Sequence, residues 1–98
     1  MTITTEKNNN AATLKLDGRL DTATASTLET ALFQLGDEIN QLTLDMSGVQ
    51  YVSSAGLRVL LSAHKKYLNA GGLKLTNVCE GVMDVFEITG FADFLVVE

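Results

Sequence analysis

Three short runs of this chain alternate apolar and polar residues, Ala12–Asp17, Gln41–Met46 and Leu73–Val78, and helix-type segments separate and follow them. A period of two puts every second side chain on one face of a sheet. A period of 3.6 gathers the apolar residues into a stripe along a helix. A chain that switches repeatedly between these periods folds as strands joined by helices, and right-handed crossovers then make the sheet largely parallel.

The boundaries follow from local chemistry. Ile3 and its neighbours supply a strand before Ala12, with Asn8-Asn9-Asn10 as the turn that makes an antiparallel hairpin. Gly18 breaks the second strand. Asp21 to Gly36 reads as a helix with Leu28, Ala31, Leu32 and Leu35 on one face. Ser26 and Glu29 have capping-box spacing, and Asp21, Thr22 and Thr24 compete for the same N-cap. A second helix runs from Ser54 to about Asn69 with a stripe of Leu57, Leu60, Leu61, His64 and Leu68, ended by Gly71-Gly72. Glu80 to Thr89 is a short helix carrying Val82, Val85 and Phe86 and stopped at Gly90, and Phe94–Val97 adds an edge strand. The expected fold is α/β, a small layered structure with a mixed, mostly parallel sheet of about four to five strands and helices packed on it.

The length of 98 residues fits one domain, 1–98, and 46% hydrophobic residues suffice for a core. No apolar run reaches the roughly 18 residues that span a bilayer, and the N-terminus lacks the pattern of a signal peptide. A cytoplasmic location is expected. The one cysteine, Cys79, fits a reducing compartment and the role of a small apolar group. Seven scattered Lys and Arg among twelve acids give a net charge of −5, against the clustered cations that nucleic acids or anionic membranes require. Neither is an expected partner.

Chemistry concentrates in Asp45-Met-Ser-Gly-Val-Gln-Tyr-Val-Ser-Ser-Ala-Gly-Leu57. Ser53 and Ser54 stand where an apolar run meets a helix start, whose free N–H groups and positive dipole end favour an anion. A serine there caps the helix, and this alone explains one hydroxyl. Both roles fit together when Ser53 caps and Ser54 turns its hydroxyl outward, ready to carry a phosphate. Asp17-Gly-Arg-Leu-Asp-Thr22 follows a strand as well, so the two loops share the carboxyl edge of a parallel sheet. Asp45 and Ser47 close the third strand near that edge, and Asp45 either holds the turn or acts directly.

Catalysis has little support. A serine nucleophile needs a base within hydrogen-bond reach, yet His64, the single histidine, lies ten residues along the same helix, about 15 Å away. His64 has no second metal-type residue at suitable spacing, and no phosphate loop or dinucleotide fingerprint occurs. The chain reads as no enzyme, with no catalytic residue, metal or cofactor.

Gly18-Arg-Leu-Asp21, Asp45-Met-Ser47, Tyr51-Val-Ser-Ser-Ala-Gly-Leu-Arg-Val-Leu-Leu61 and Val85-Phe-Glu-Ile-Thr-Gly-Phe91 together resemble the STAS domain. Anti-sigma factor antagonists and the cytoplasmic tails of sulfate transporters share this module. The resemblance covers essentially the whole chain. It implies an antagonist that binds an anti-sigma factor, itself an ATP-dependent serine kinase, and so frees a sigma factor. Phosphorylation by that kinase releases the antagonist, and a PP2C-type phosphatase restores it. Aligned on Gly56, the family's phosphorylated serine falls on Ser54. Ser53 occupies the family's aspartate position and is a minor candidate acceptor, and Ala55 replaces its second hydroxyl. Asp21, Ser53, Ser54, Ala55, Gly56 and Arg58 are the implied partner-binding residues. A free monomer is expected from the composition, which shows no excess apolar helix face. The alternative is a STAS subunit or regulator of a membrane transporter, of the lipid-trafficking ABC type, that acts without phosphorylation.

Overall fold

A computed structural model describes all residues from Met1 to Glu98. Strand β1 (Thr2–Asn8) pairs antiparallel with β2 (Ala11–Asp17), and β2, β3 (Gln41–Gly48), β4 (Gly72–Thr76) and β5 (Val96–Val97) continue in parallel. Asn9 turns the hairpin with φ of 58°, a left-handed conformation that asparagine tolerates. Helices α1 (Ala25–Gln34), α2 (Ser54–Tyr67) and α3 (Glu80–Thr89) connect the parallel strands.

Spatial strand order equals chain order. Each right-handed crossover therefore steps in the same direction and lays its helix on the same face. Alternation in the strands records this asymmetry. Leu14, Leu16, Leu42, Leu44, Met46, Leu73 and Leu75 are buried beneath the helices, whereas Lys15, Ser47 and Lys74 stand exposed on the other face. The sheet is thus a half-covered one, unlike the many parallel sheets buried on both faces.

Four local expectations are corrected. Helix α1 begins at Ala25, not Asp21, and Thr24 is its N-cap without a side-chain cap bond. Asp21 and Thr24 instead use their side chains on the loop's own backbone, the competition that delays helix formation. Ser26 lies inside the helix, so the Ser26–Glu29 capping box does not form. On α2 the buried face is Gly56, Leu57, Val59, Leu60, Ala63 and Tyr67, while Leu68 is exposed and Leu61 and His64 are only half-buried. The true stripe contains glycine and alanine, which a search for large apolar residues passes over. Finally, the last strand shrinks to Val96–Val97 because a turn of 3₁₀ helix occupies Phe91–Asp93.

The core contains 24 buried hydrophobic residues and no buried charged residue. One polar atom inside it, the Tyr67 hydroxyl, lacks a hydrogen-bond partner. Every ionised group is therefore left to the surface, and any recognition chemistry must be found there.

Candidate functional site at the carboxyl edge of the sheet

The loops after β2 and β3 are joined into one rigid ledge. Leu20 and Val52 form an isolated parallel bridge outside the named strands. Leu20 N–H donates to Tyr51 O at 3.0 Å, Ser53 N–H donates to Leu20 O at 2.8 Å, and Gly18 N–H donates to Gly48 O at 3.0 Å. Leu20 and Val52 are both buried, which anchors the ledge to the core.

Helix α2 rises from this ledge. Ser53 has extended backbone, and its Oγ accepts the Gly56 N–H at 3.3 Å as an N-cap. Its carbonyl accepts the Leu57 N–H at 2.9 Å. The N–H groups of Ser54 and Ala55 at the helix start have no intrahelical partner. No acidic residue lies in the first turn, whereas Lys65 and Lys66 oppose the negative dipole at the other end. The first turn of α2 thus carries no acid of its own against the positive end of the dipole, with the exposed side chain of Ser54 at that end.

Gly56 sets how closely the helix approaches. A Cβ there would lie 2.7 Å from Leu20 Cγ and 2.9 Å from Leu20 O. Only a residue without a side chain lets α2 rest on the ledge. Ala55 is half-buried against the core, and Arg58, one turn beyond Ser54, is exposed.

Asp21 is fixed by its own loop. Its Oδ1 accepts the N–H groups of Ala23 at 3.0 Å and Thr24 at 3.1 Å. These bonds, that of Thr24 first, hold its carboxyl below the ordinary range. Its other oxygen faces the Arg19 Nε at 3.5 Å. The Arg19 guanidinium stacks over the Tyr51 ring at 4.1 Å from the centroid. Sequence reasoning gave this pair no role, since residues 32 positions apart carry no periodic signal.

Asp45 holds a turn. Its Oδ1 accepts from Asn77 Nδ2 and from Ser47 N–H, each at 3.0 Å, so the end of β3 is tied to the loop after β4. The Asn77 amide and then the Ser47 backbone lower its carboxyl from the ordinary value. Ser47 is exposed beside it. Elsewhere, the His64 ring packs against Phe94 at 4.9 Å, and Cys79 Sγ lies 3.5 Å from Val49 O. No group of three or more His, Cys, Asp or Glu gathers at metal-binding distance, and no helix is long and apolar enough to cross a membrane.

The structure therefore brings Asp21, Ser53, Ser54, Ala55, Gly56 and Arg58 to the ledge and the first turns of α2. It adds Arg19 and Tyr51, and it assigns Asp45 to the scaffold.

Comparisons with known proteins agree with this fold. Residues 2–98 match the STAS domain family, and the chain belongs to it. The anti-sigma-B factor antagonist of Bacillus subtilis is 31% identical over 91 residues, covering 92% of this chain and 84% of the relative. A crystal structure of an anti-sigma factor antagonist from Mycobacterium paratuberculosis superposes with a TM-score of 0.87 at 23% identity, over 98% of this chain and 83% of that one. A sulfate transporter family protein from Wolinella succinogenes has the same fold, with a TM-score of 0.77 at 18% identity over 90% of this chain and 76% of that one.

Proposed function

We propose that this protein is an anti-sigma factor antagonist whose binding is switched by phosphorylation of Ser54. Unmodified, it sequesters an anti-sigma factor that is also a serine kinase; phosphorylated, it lets that partner go. The observation that carries this reading is the exposed Ser54 hydroxyl at a helix N-terminus with no acid in its first turn, on a ledge fixed by the Leu20–Val52 bridge. The similarity to an anti-sigma-B factor antagonist over 92% of the chain supports the partner class.

The chemistry asks little of this chain. Ser54 Oγ attacks the γ-phosphorus of ATP held by the kinase, ADP leaves, and the hydroxyl proton passes to a base on the kinase. A helix start is a favourable place for the product, because N–H groups and the dipole stabilise the new anion. A PP2C-type phosphatase returns the hydroxyl by hydrolysis. Asp21 on the neighbouring loop and Ala55 and Arg58 on α2 form the contact surface in this reading, with Gly56 keeping α2 close to the ledge. Ser53 is engaged as the cap and serves as the minor acceptor.

Site-resolved mass spectrometry of the protein recovered from its own cells, in growth and under stress, tests this reading. Phosphate on Ser54 that varies with condition is expected. Its absence in every condition would instead indicate constitutive docking, as in a transporter regulator.

A further inference from the structure

Arg19 is the one cation at the ledge whose arm is held on both sides by replaceable contacts. Asp21 lies at 3.5 Å from its Nε and the Tyr51 ring at 4.1 Å from its Cζ, and its side chain remains 66% exposed. Exposed ion pairs and exposed cation–π contacts are weak and easily exchanged. Its backbone is not free to move. Thr24 Oγ1 donates to Arg19 O at 2.6 Å, and the next residue, Leu20, is bonded to Tyr51 and Ser53.

Leu20 O accepts the N–H of Ser53 and blocks the Cβ position of Gly56 at 2.9 Å, so it touches residues on both sides of Ser54. The flexible arm of Arg19 thus starts one residue before Leu20, whose carbonyl is bonded to the residue next to Ser54. Arg58 lies four residues after Ser54 on the same helix, free of any ion pair, and helical side chains lean toward the N-terminus. A guanidinium binds phosphate oxygens through paired charge-assisted hydrogen bonds, which are stronger than either present contact of Arg19.

Resting on the Ser54 reading above, we propose that a phosphate on Ser54 is captured within the chain by Arg19 and Arg58, and that Arg19 leaves Asp21 and Tyr51 to reach it. Modification then does more than add charge. It frees Oδ2 of Asp21 and uncovers the Tyr51 ring at the proposed partner surface, while two cations partly neutralise the new anion. The switch acts by rearranging that surface as well as by repulsion.

The test is a ³¹P NMR titration of protein carrying phosphoserine at position 54 by genetic encoding, with Arg19→Gln, Arg58→Gln and the double variant. Both sites are exposed, so folding is not at risk. Captured phosphate titrates below its ordinary second pKa of about 6. Each substitution is expected to raise that value, and the double variant to raise it most. Proton spectra should also show the Arg19 side chain losing its ring-current shift from Tyr51 on phosphorylation. A titration moved by Arg58→Gln alone, or an Arg19 that stays over Tyr51, would overturn the proposal. The phosphate is installed without a kinase, so this outcome is independent of whether a kinase modifies Ser54.

Discussion

The carbonyl oxygen of Leu20 lies 2.9 Å from where a Cβ on Gly56 would sit, so helix α2 touches the ledge backbone to backbone. Gly56→Ala would push a methyl into a carbonyl and into Leu20 Cγ at 2.7 Å. The carbonyl cannot yield, because it accepts the Ser53 N–H. A loss of about 1–3 kcal/mol is expected, the usual cost of overpacking, measured by urea unfolding. Partner binding should weaken as well, since α2 and Ser54 shift together.

Ser53 and Ser54 separate cleanly in their effects on stability. Ser53→Ala removes the acceptor of the Gly56 N–H and should cost about 1 kcal/mol. Ser53→Asp keeps a capping oxygen and adds a negative charge at the positive helix end, so it should retain stability. Ser54→Ala should leave the unfolding midpoint nearly unchanged, because the exposed hydroxyl supports nothing in the fold.

Stability should decline in acid through Asp21 and Asp45. Both carboxyls are held below their ordinary value of 3.8 by hydrogen bonds, led by the Thr24 backbone for Asp21 and the Asn77 amide for Asp45. A carboxylate with a lowered folded pKa contributes stability that is present above the unfolded value and lost as pH falls through the folded one. The loss should therefore set in below 3.8. Asp45→Asn keeps an oxygen acceptor for Ser47 and Asn77 but cannot titrate. Its unfolding midpoint should fall less steeply than wild type across that range.

Tyr67→Phe is expected to be neutral or stabilising by up to about 1 kcal/mol, because it removes a buried hydroxyl that has no partner. Burial, and then the Asp37 charge, raise the Tyr67 hydroxyl above its ordinary value of 10.0. The folded chain therefore holds this proton longer than the unfolded chain, and stability drops as pH rises past 10.0. The phenylalanine variant should lose that part of the alkaline decline.

Much of the fold was legible because the strands carry a strong signal. Ala12–Asp17, Gln41–Met46 and most of Leu73–Val78 alternate, since one sheet face is covered and the other meets solvent. The signal failed where packing depends on small residues or side-chain turns. Gly56 and Ala63 line the buried face of α2, and the Asp21–Thr24 turn postponed α1. At the site, the Ser53 cap and exposed Ser54 followed from helix-start chemistry alone. The Leu20–Val52 bridge and the Arg19–Tyr51 stack did not, because both are long-range contacts made by loops.

The most direct measurement compares two forms of the protein, unmodified and with phosphoserine at position 54, for binding to an anti-sigma factor kinase by isothermal titration calorimetry. A new dianion at the interface should weaken binding about a hundredfold or more, since a poorly matched charge there costs several kcal/mol. Equal affinity of the two forms would contradict a switch at Ser54.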